Sequence, residues 1–431
     1  MSTLLASSHS MAIATDPAAL TTQDGAAGTP QTRPAGRTLP RAAAFWLVTA
    51  TTATLLAASS APSPLYAVYQ AEFGFSALTL TAIFAVYVLA LLLSLLTVGR
   101  LSDYLGRRPV LAVALLVEAA AMAVFLDAHG IAALYLARVV QGLATGAAVG
   151  VLGAYLLDLQ PSNGSRLGSL VNSAAATGGL GIGALLTGVL VEYAPHPTRL
   201  VFVILTAAFV LLALATSVLP ETVRREPGAL AQLRPRVSVP DAARRPFLRA
   251  APTMASTWML GGLIFSVGGS LLSVVFGQHN HAVVGLVIGL FAGMAAVGSV
   301  TFRNHTPEVM ARVGTSLLSL GTVLLVIALA TSSLSVFVAG AVLAGAGFGP
   351  AFLGSFRAVS QLAAPHERAA LISAIYVVSY LAFSIPALVA GLVIAHLGLR
   401  GPALVYAAIV ALVALGTRAY ESAQSRAHPA H

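Results

Sequence analysis

Gly99-Arg100-Leu101-Ser102-Asp103-Tyr104-Leu105-Gly106-Arg107-Arg108-Pro109 is a short polar run set between two long apolar stretches. It reads as the end of one helix, a tight turn permitted by Gly106, and a second helix entered through Pro109. The acid Asp103 and the pair Arg107 and Arg108 fall within five residues of one another, at the edge of apolar sequence on both sides. A loop that needed only positive charge would account for the arginines. It would not account for Gly99, Asp103 and Gly106 at these intervals.

The surrounding chain has 431 residues, 58% of them hydrophobic and 9% charged, with a mean hydropathy of +0.88. Soluble domains carry about 25% charged residues, so a soluble enzyme is excluded. The net charge of +9 comes from 23 cations, all arginine, that punctuate apolar stretches and form no basic domain. That distribution points to membrane topology and away from nucleic acid. Without cysteine there is no disulfide, thiolate metal site or Cys nucleophile. Without lysine there is no Gly-Lys-Ser/Thr phosphate loop, so ATP-driven pumping by this chain is excluded.

A bilayer core about 30 Å thick takes roughly 20 apolar helical residues. That ruler gives six spans near 44–66, 78–98, 109–127, 131–157, 167–191 and 199–219. Six more lie near 251–276, 281–302, 313–331, 334–361, 369–396 and 400–418. The expected organisation is therefore a disordered tail over 1–42, a six-helix bundle over 43–219, a basic linker over 220–250, a second bundle over 251–418 and a tail over 419–431. No apolar core follows a basic start, so no cleavable signal peptide is expected. With the N-terminus inside, the loops on that side collect Arg100, Arg107, Arg108, Arg166, Arg303, Arg312, Arg357 and Arg368, while the opposite side keeps Arg199 and Arg400. The positive-inside rule then places both termini in the cytoplasm.

The halves echo each other: Gln160-Pro161 precedes Arg166 between spans four and five, and Ala364-Pro365 precedes Arg368 between spans ten and eleven. With the 99–109 loop, these features resemble the major facilitator superfamily. Its loop signature is Gly, three residues, Asp, a basic residue, any residue, Gly and two basic residues; the chain departs from it at Tyr104. The resemblance implies an all-α integral membrane protein, with twelve transmembrane helices in two pseudo-symmetric six-helix bundles. It further implies a conformational gate in which Asp103 clamps the start of span eleven at Arg368 and Arg107 pairs with Asp158, with Gly99, Gly106 and Arg108 shaping the loop.

Two charges stand inside the spans, Glu118 in span three and Arg138 in span four. A charge at the bilayer centre costs about 2.5–3.5 kcal/mol or more. The short turn between these spans centres near residue 129 and brings both groups to similar depth. A buried structural pair and a protonation site are both compatible with that placement. Arg138-Val139-Val140-Gln141-Gly142 resembles the family's span-four signature, whose arginine is linked to proton transfer in proton-coupled members, and this role is carried to Arg138. Gly179 through Leu190 is similar to the signature of the drug:proton antiporter branch, with Gly183-Ala184 where that signature has Gly-Pro. Gln141, Asn172, Trp258, Tyr376 and Tyr380 are candidate cavity residues. His279 and His281 have metal-ligand spacing but no carboxylate beside them in sequence, and no metal is expected.

The expected function is secondary transport by alternating access, most simply proton-coupled efflux of a small lipophilic compound, because sugars and charged metabolites need many polar partners on leaving water. The alternatives are a proton-linked importer of a small organic nutrient and, in another class, a receptor or scaffold without flux. No enzymatic activity and no cofactor besides the proton gradient are expected. The partners are a small-molecule substrate, protons and the lipid bilayer, with no nucleic acid, and the chain is expected to be a monomer in the cell membrane.

Overall fold

A computed structural model describes residues 38–161, 167–228, 233–364 and 366–427, with side chains through Tyr420. Residues 1–37 of the expected tail lie outside them, as do Arg166 and Pro365. The first half comprises α1 (Arg41–Ser60), α2 (Pro62–Phe73), α3 (Ala77–Thr97), α4 (Ser102–Leu105), α5 (Arg107–Leu126), α6 (Ile131–Leu159), α7 (Leu167–Tyr193) and α8 (Leu200–Ala215). The second half comprises α9 (Asp241–Val274), α10 (His281–Thr301), α11 (Pro307–Thr331), α12 (Leu334–Ser360), α13 (Arg368–Leu397) and α14 (Arg400–Ala427). Among the described residues twelve spans are long and apolar enough to cross a bilayer, α1 and α2 together forming the first. Helices are the outcome because lipid offers the backbone no hydrogen-bonding partner.

Several boundaries differ from the hydropathy reading. Arg41 and Ala42, expected in the tail, already belong to α1, and the first span runs on to Phe73 through a break at Ala61. Pro62 sits at the first position of α2, where its missing N–H costs nothing. The linker ends at Pro240, because Asp241–Ala250 is the amphipathic start of α9: Ala243 and Phe247 are buried against Val359, Leu371 and Ile375. Its arginines kept it outside an apolar window. At the other end, α14 continues to Ala427 where a tail was expected from residue 419.

Within the first half α6 is central, packing on α1, α3 and α5, while α7 runs along α1. In the second half α12 packs on α9, α10 and α11, and α14 on α9 and α11. The halves meet through α7 on α10, α3 on α13 and α2 on α9. Between helices in lipid there is no hydrophobic drive, so close backbone approach supplies the attraction. Gly142, Gly146 and Gly150 recur every fourth residue along α6, and each lets α6 approach the α3 region. A Cβ on Gly146 would lie 2.8 Å from the Ser94 Cβ and would also strike the Leu91 carbonyl oxygen.

Gly146→Val should therefore destabilise the protein by about 1–3 kcal/mol, the usual cost of overpacking. Gly416→Ala in α14, with nothing within 4 Å of the new methyl, should leave stability near wild type. Thermal unfolding in detergent distinguishes the two; equal midpoints would remove the α3–α6 contact as the reason for the glycine.

Candidate functional site

The 99–109 loop is a closed polar knot. Gly106 adopts φ 95°, a region side chains disfavour, and reverses the chain between α4 and α5. The carboxylate of Glu221 accepts the backbone N–H of Arg107 (2.8 Å) and of Arg108 (3.1 Å), satisfying two open donors in the first turn of α5. The Arg107 guanidinium donates to Asp103 Oδ1 at 2.5 Å, Ser102 Oγ at 2.8 Å and Asp158 Oδ2 at 3.2 Å. Thr222 also donates to Asp158 Oδ2, and Arg108 donates to the Ser217 carbonyl. The Arg107–Asp158 contact joins α5 to the end of α6. Asp103 is engaged by Arg107, and among the described residues no ion pair joins it to Arg368. Gly99 sits where α3 passes Gly150 of α6, its Cα about 3.0 Å from where a side chain at 150 would begin.

Deeper in the same half lies a fully buried polar network. Arg138 donates through Nε and Nη2 to the Tyr66 hydroxyl (2.9 and 2.6 Å), and through Nη1 to the Ser59 carbonyl (3.1 Å) and Gln141 Oε1 (2.7 Å). Its guanidinium also lies 4.9 Å from the centre of the Tyr87 ring. Gln141 turns its amide the other way, to the Ala58 carbonyl and to Glu118 Oε1 at 3.2 Å. Glu118 Oε2 accepts from Thr145 at 3.3 Å. Glu118 and Arg138 are thus brought together, but with Gln141 between them and no direct ion pair. Gln141, expected on the cavity wall, is instead wholly buried as the bridge. Tyr66 escaped the sequence reading, although the Pro62 and Pro64 break ahead of it marks the turn that aims it inward.

The second half gathers rings. Trp258 of α9 lies 4.9 Å from Tyr380, 5.5 Å from Phe352, 5.5 Å from Phe383 and 6.2 Å from Phe348, between ring centres. Tyr376 stacks on Tyr380 at 5.8 Å. The indole N–H of Trp258 is buried without a hydrogen-bond partner. Phe84 of α3 meets Phe383 at 5.1 Å, so the array reaches across the halves. Trp258, Tyr376 and Tyr380 are therefore together, whereas Asn172 lies apart on α7, its amide facing Gly153 of α6. The phenylalanines were missed, though Phe348, Phe352 and Phe356 recur every fourth residue along one stripe of α12.

Both described polar contacts between the halves lie at the helix ends away from the termini. Ser270 donates to Gln70 Oε1 at 3.3 Å. Glu192 Oε2, at the end of α7, accepts the backbone N–H of His281 (2.8 Å) and its imidazole Nδ1 (3.0 Å), at the first turn of α10. The carboxylate absent beside His281 in sequence is supplied by the fold, but no group of three metal-ligating side chains forms among the described residues.

Among the described residues, twelve helices long and apolar enough to span a membrane stand in two halves around buried polar and aromatic clusters, the architecture of a multi-pass membrane protein. The chain belongs to the Major Facilitator Superfamily, whose family model matches residues 48–315. It is 36% identical over 141 residues to an uncharacterized transporter of Rickettsia bellii (strain RML369-C), covering 32% of this chain and 34% of that protein. It is 35% identical over 139 residues to one of Rickettsia felis (strain ATCC VR-1525 / URRWXCal2), covering 32% and 33%. The chain thus spans about a third of the length of the curated relatives it matches. Among solved structures it is similar to a bacterial homologue of the human lysosomal transporter Spinster, inward-facing and unoccupied, with TM-score 0.71, 15% identity and coverage of 89% of this chain and 97% of that one. The human organic anion transporter MFSD10 gives TM-score 0.64 and 19% identity over 88% and 100%. At these identities the likeness is one of fold.

The Glu192–His281 contact holds the halves together at one face and should favour the state closed there. Glu192→Gln, which weakens the hydrogen bonds its carboxylate accepts from His281, should raise the population of the state open at that face. Because the native chain has no cysteine, spin labels on Tyr193→Cys and Val274→Cys read this directly. An unchanged distance distribution would show that the contact holds nothing.

Proposed function

We propose that this transporter exports a small lipophilic compound in exchange for protons across the cell membrane, with both termini in the cytoplasm. Glu118 carries the proposal. It is the one buried acid among the described residues, and hydrogen bonds from Gln141 and Thr145 hold it in place of a direct cationic partner. A carboxylate so placed is costly to keep charged in an apolar surround. Its proton occupancy and the set of Gln141 and Arg138 are therefore linked, and Tyr66 extends that link to α2, which packs against α9 of the other half. The rings about Trp258 favour a substrate with flat apolar surface or a soft cation, through stacking and cation–π attraction. The arginine-rich loops on the terminal side support the orientation.

In vesicles with an imposed pH gradient, a lipophilic substrate should dissipate the gradient with wild type and not with Glu118→Gln or Arg138→Ala. Trp258→Ala should weaken substrate dependence by about tenfold, one buried aromatic contact's worth. Proton movement that persists in Glu118→Gln would remove the coupling role. Silence of wild type with every lipophilic compound, alongside nutrient-driven proton entry, would favour the importer.

In the state closed on the terminal side, Asp103 exchanges Arg107 for the start of α13 at Arg368, where the helix N-terminus adds partial positive charge. Asp103→Asn should then cut flux while the protein still inserts at wild-type abundance, compared by membrane immunoblot. Wild-type flux from that variant would eliminate the clamp.

A further inference from the structure

On the terminal side, the start of α9 and the end of α14 enclose a groove of about 530 Å³. Leu248, Arg249 and Pro252 of α9 face Leu412, Gly416 and Tyr420 of α14. We propose that this groove binds an anionic phospholipid of the adjoining leaflet, its phosphate on Arg249 and an acyl chain along α14.

Four observations converge on that occupant. Arg249 is exposed and has no hydrogen-bond or ion-pair partner among the described residues, and Arg244 and Arg245 are exposed one turn earlier. Among the described residues no acid lines the groove; Asp241, the acid at the start of the same helix, lies two turns from Arg249. Net positive charge at the edge of a membrane-spanning bundle attracts anionic headgroups over zwitterionic ones. The walls on both sides of Arg249 are apolar, which a free phosphate would leave unused. Leu412 is 69% exposed, and Ile409, one turn further and near the middle of the span, continues the exposed stripe, giving an acyl chain a track from the groove to the membrane centre. Pro252 has no N–H to give the Leu248 carbonyl, so an acceptor at the groove is left for a headgroup hydroxyl. Tyr420, 47% exposed, sits where interfacial aromatics anchor.

The lipid would brace the segment that joins the halves. The amphipathic turn of α9 buries Ala243 and Phe247 against α12 and α13 and turns Arg244, Arg245, Leu248 and Arg249 outward. A phospholipid on that outward face covers the only large apolar side chain of the turn that protein leaves open, Leu248, which is 61% exposed.

The test is native mass spectrometry of the full chain, delipidated in detergent and titrated with phosphatidylglycerol or phosphatidylcholine of identical acyl chains, with glycerol phosphate as the headgroup alone. Wild type should retain one phosphatidylglycerol about fivefold more tightly than phosphatidylcholine, the contribution of one arginine to an anionic lipid. Arg249→Gln should abolish the preference, while Arg234→Gln, an exposed linker arginine away from the groove, should preserve it. Gly416→Phe, which fills the groove where no atom lies within 4 Å of the new Cβ, should weaken both lipids with every arginine intact. Equal retention by wild type and Arg249→Gln, or by wild type and a folded Gly416→Phe, overturns the proposal. So does glycerol phosphate binding as tightly as the whole lipid, which would make the groove a soluble phosphate-ester site. If Gly416→Phe fails to fold, the two arginine variants decide alone.

Discussion

Backbone meeting backbone at glycine is the constraint on which both the bundles and their mutual contact depend. Lipid tails are as apolar as leucine, so helices that bury leucine against one another gain little over leaving it in the bilayer. What they gain comes from approach closer than a side chain allows, as where Gly142 and Gly146 of α6 pass α3 and Gly183 of α7 passes Ala57 of α1. The same device joins the halves: Gly181 and Gly188 of α7 lie against Gly289 and Gly285 of α10. An interface of this kind is close but smooth. The described polar contacts across it sit at one end.

Inside that frame the two halves carry different chemistry. Five helices of the first half converge on Arg138, because a buried guanidinium must have its donors satisfied or its charge becomes prohibitive. The Ser59 carbonyl of α1, the Tyr66 hydroxyl of α2 and the Gln141 amide oxygen do this without a carboxylate in direct contact. Among the described residues Gln141 alone is hydrogen-bonded to both charged groups, its amide oxygen to Arg138 and its amide nitrogen to Glu118. The second half has no buried acid among the described residues and offers ring faces instead. The Phe84–Phe383 contact shows where the two chemistries come within reach of one another, at mid-depth between α3 and α13.

Much of the fold was legible because hydropathy measures what a bilayer requires, a run of apolar helix of fixed length. It failed at Asp241–Ala250 for a physical reason: that segment buries one face on protein and turns arginines to water, so its average is polar although Phe247 belongs to the core. The site was legible in depth and not in contact. Counting from the turn near residue 129 places Glu118 and Arg138 at one level, but only side-chain rotation decides that Gln141 stands between them. Tyr66 depends on a helix break whose direction no periodicity encodes. Asp103 shows a further limit of sequence. Its neighbours Arg107 and Arg368 are both suitable cations, one four residues away along the chain and one across the molecule. Packing decides which of them it holds, and in this structure it is Arg107.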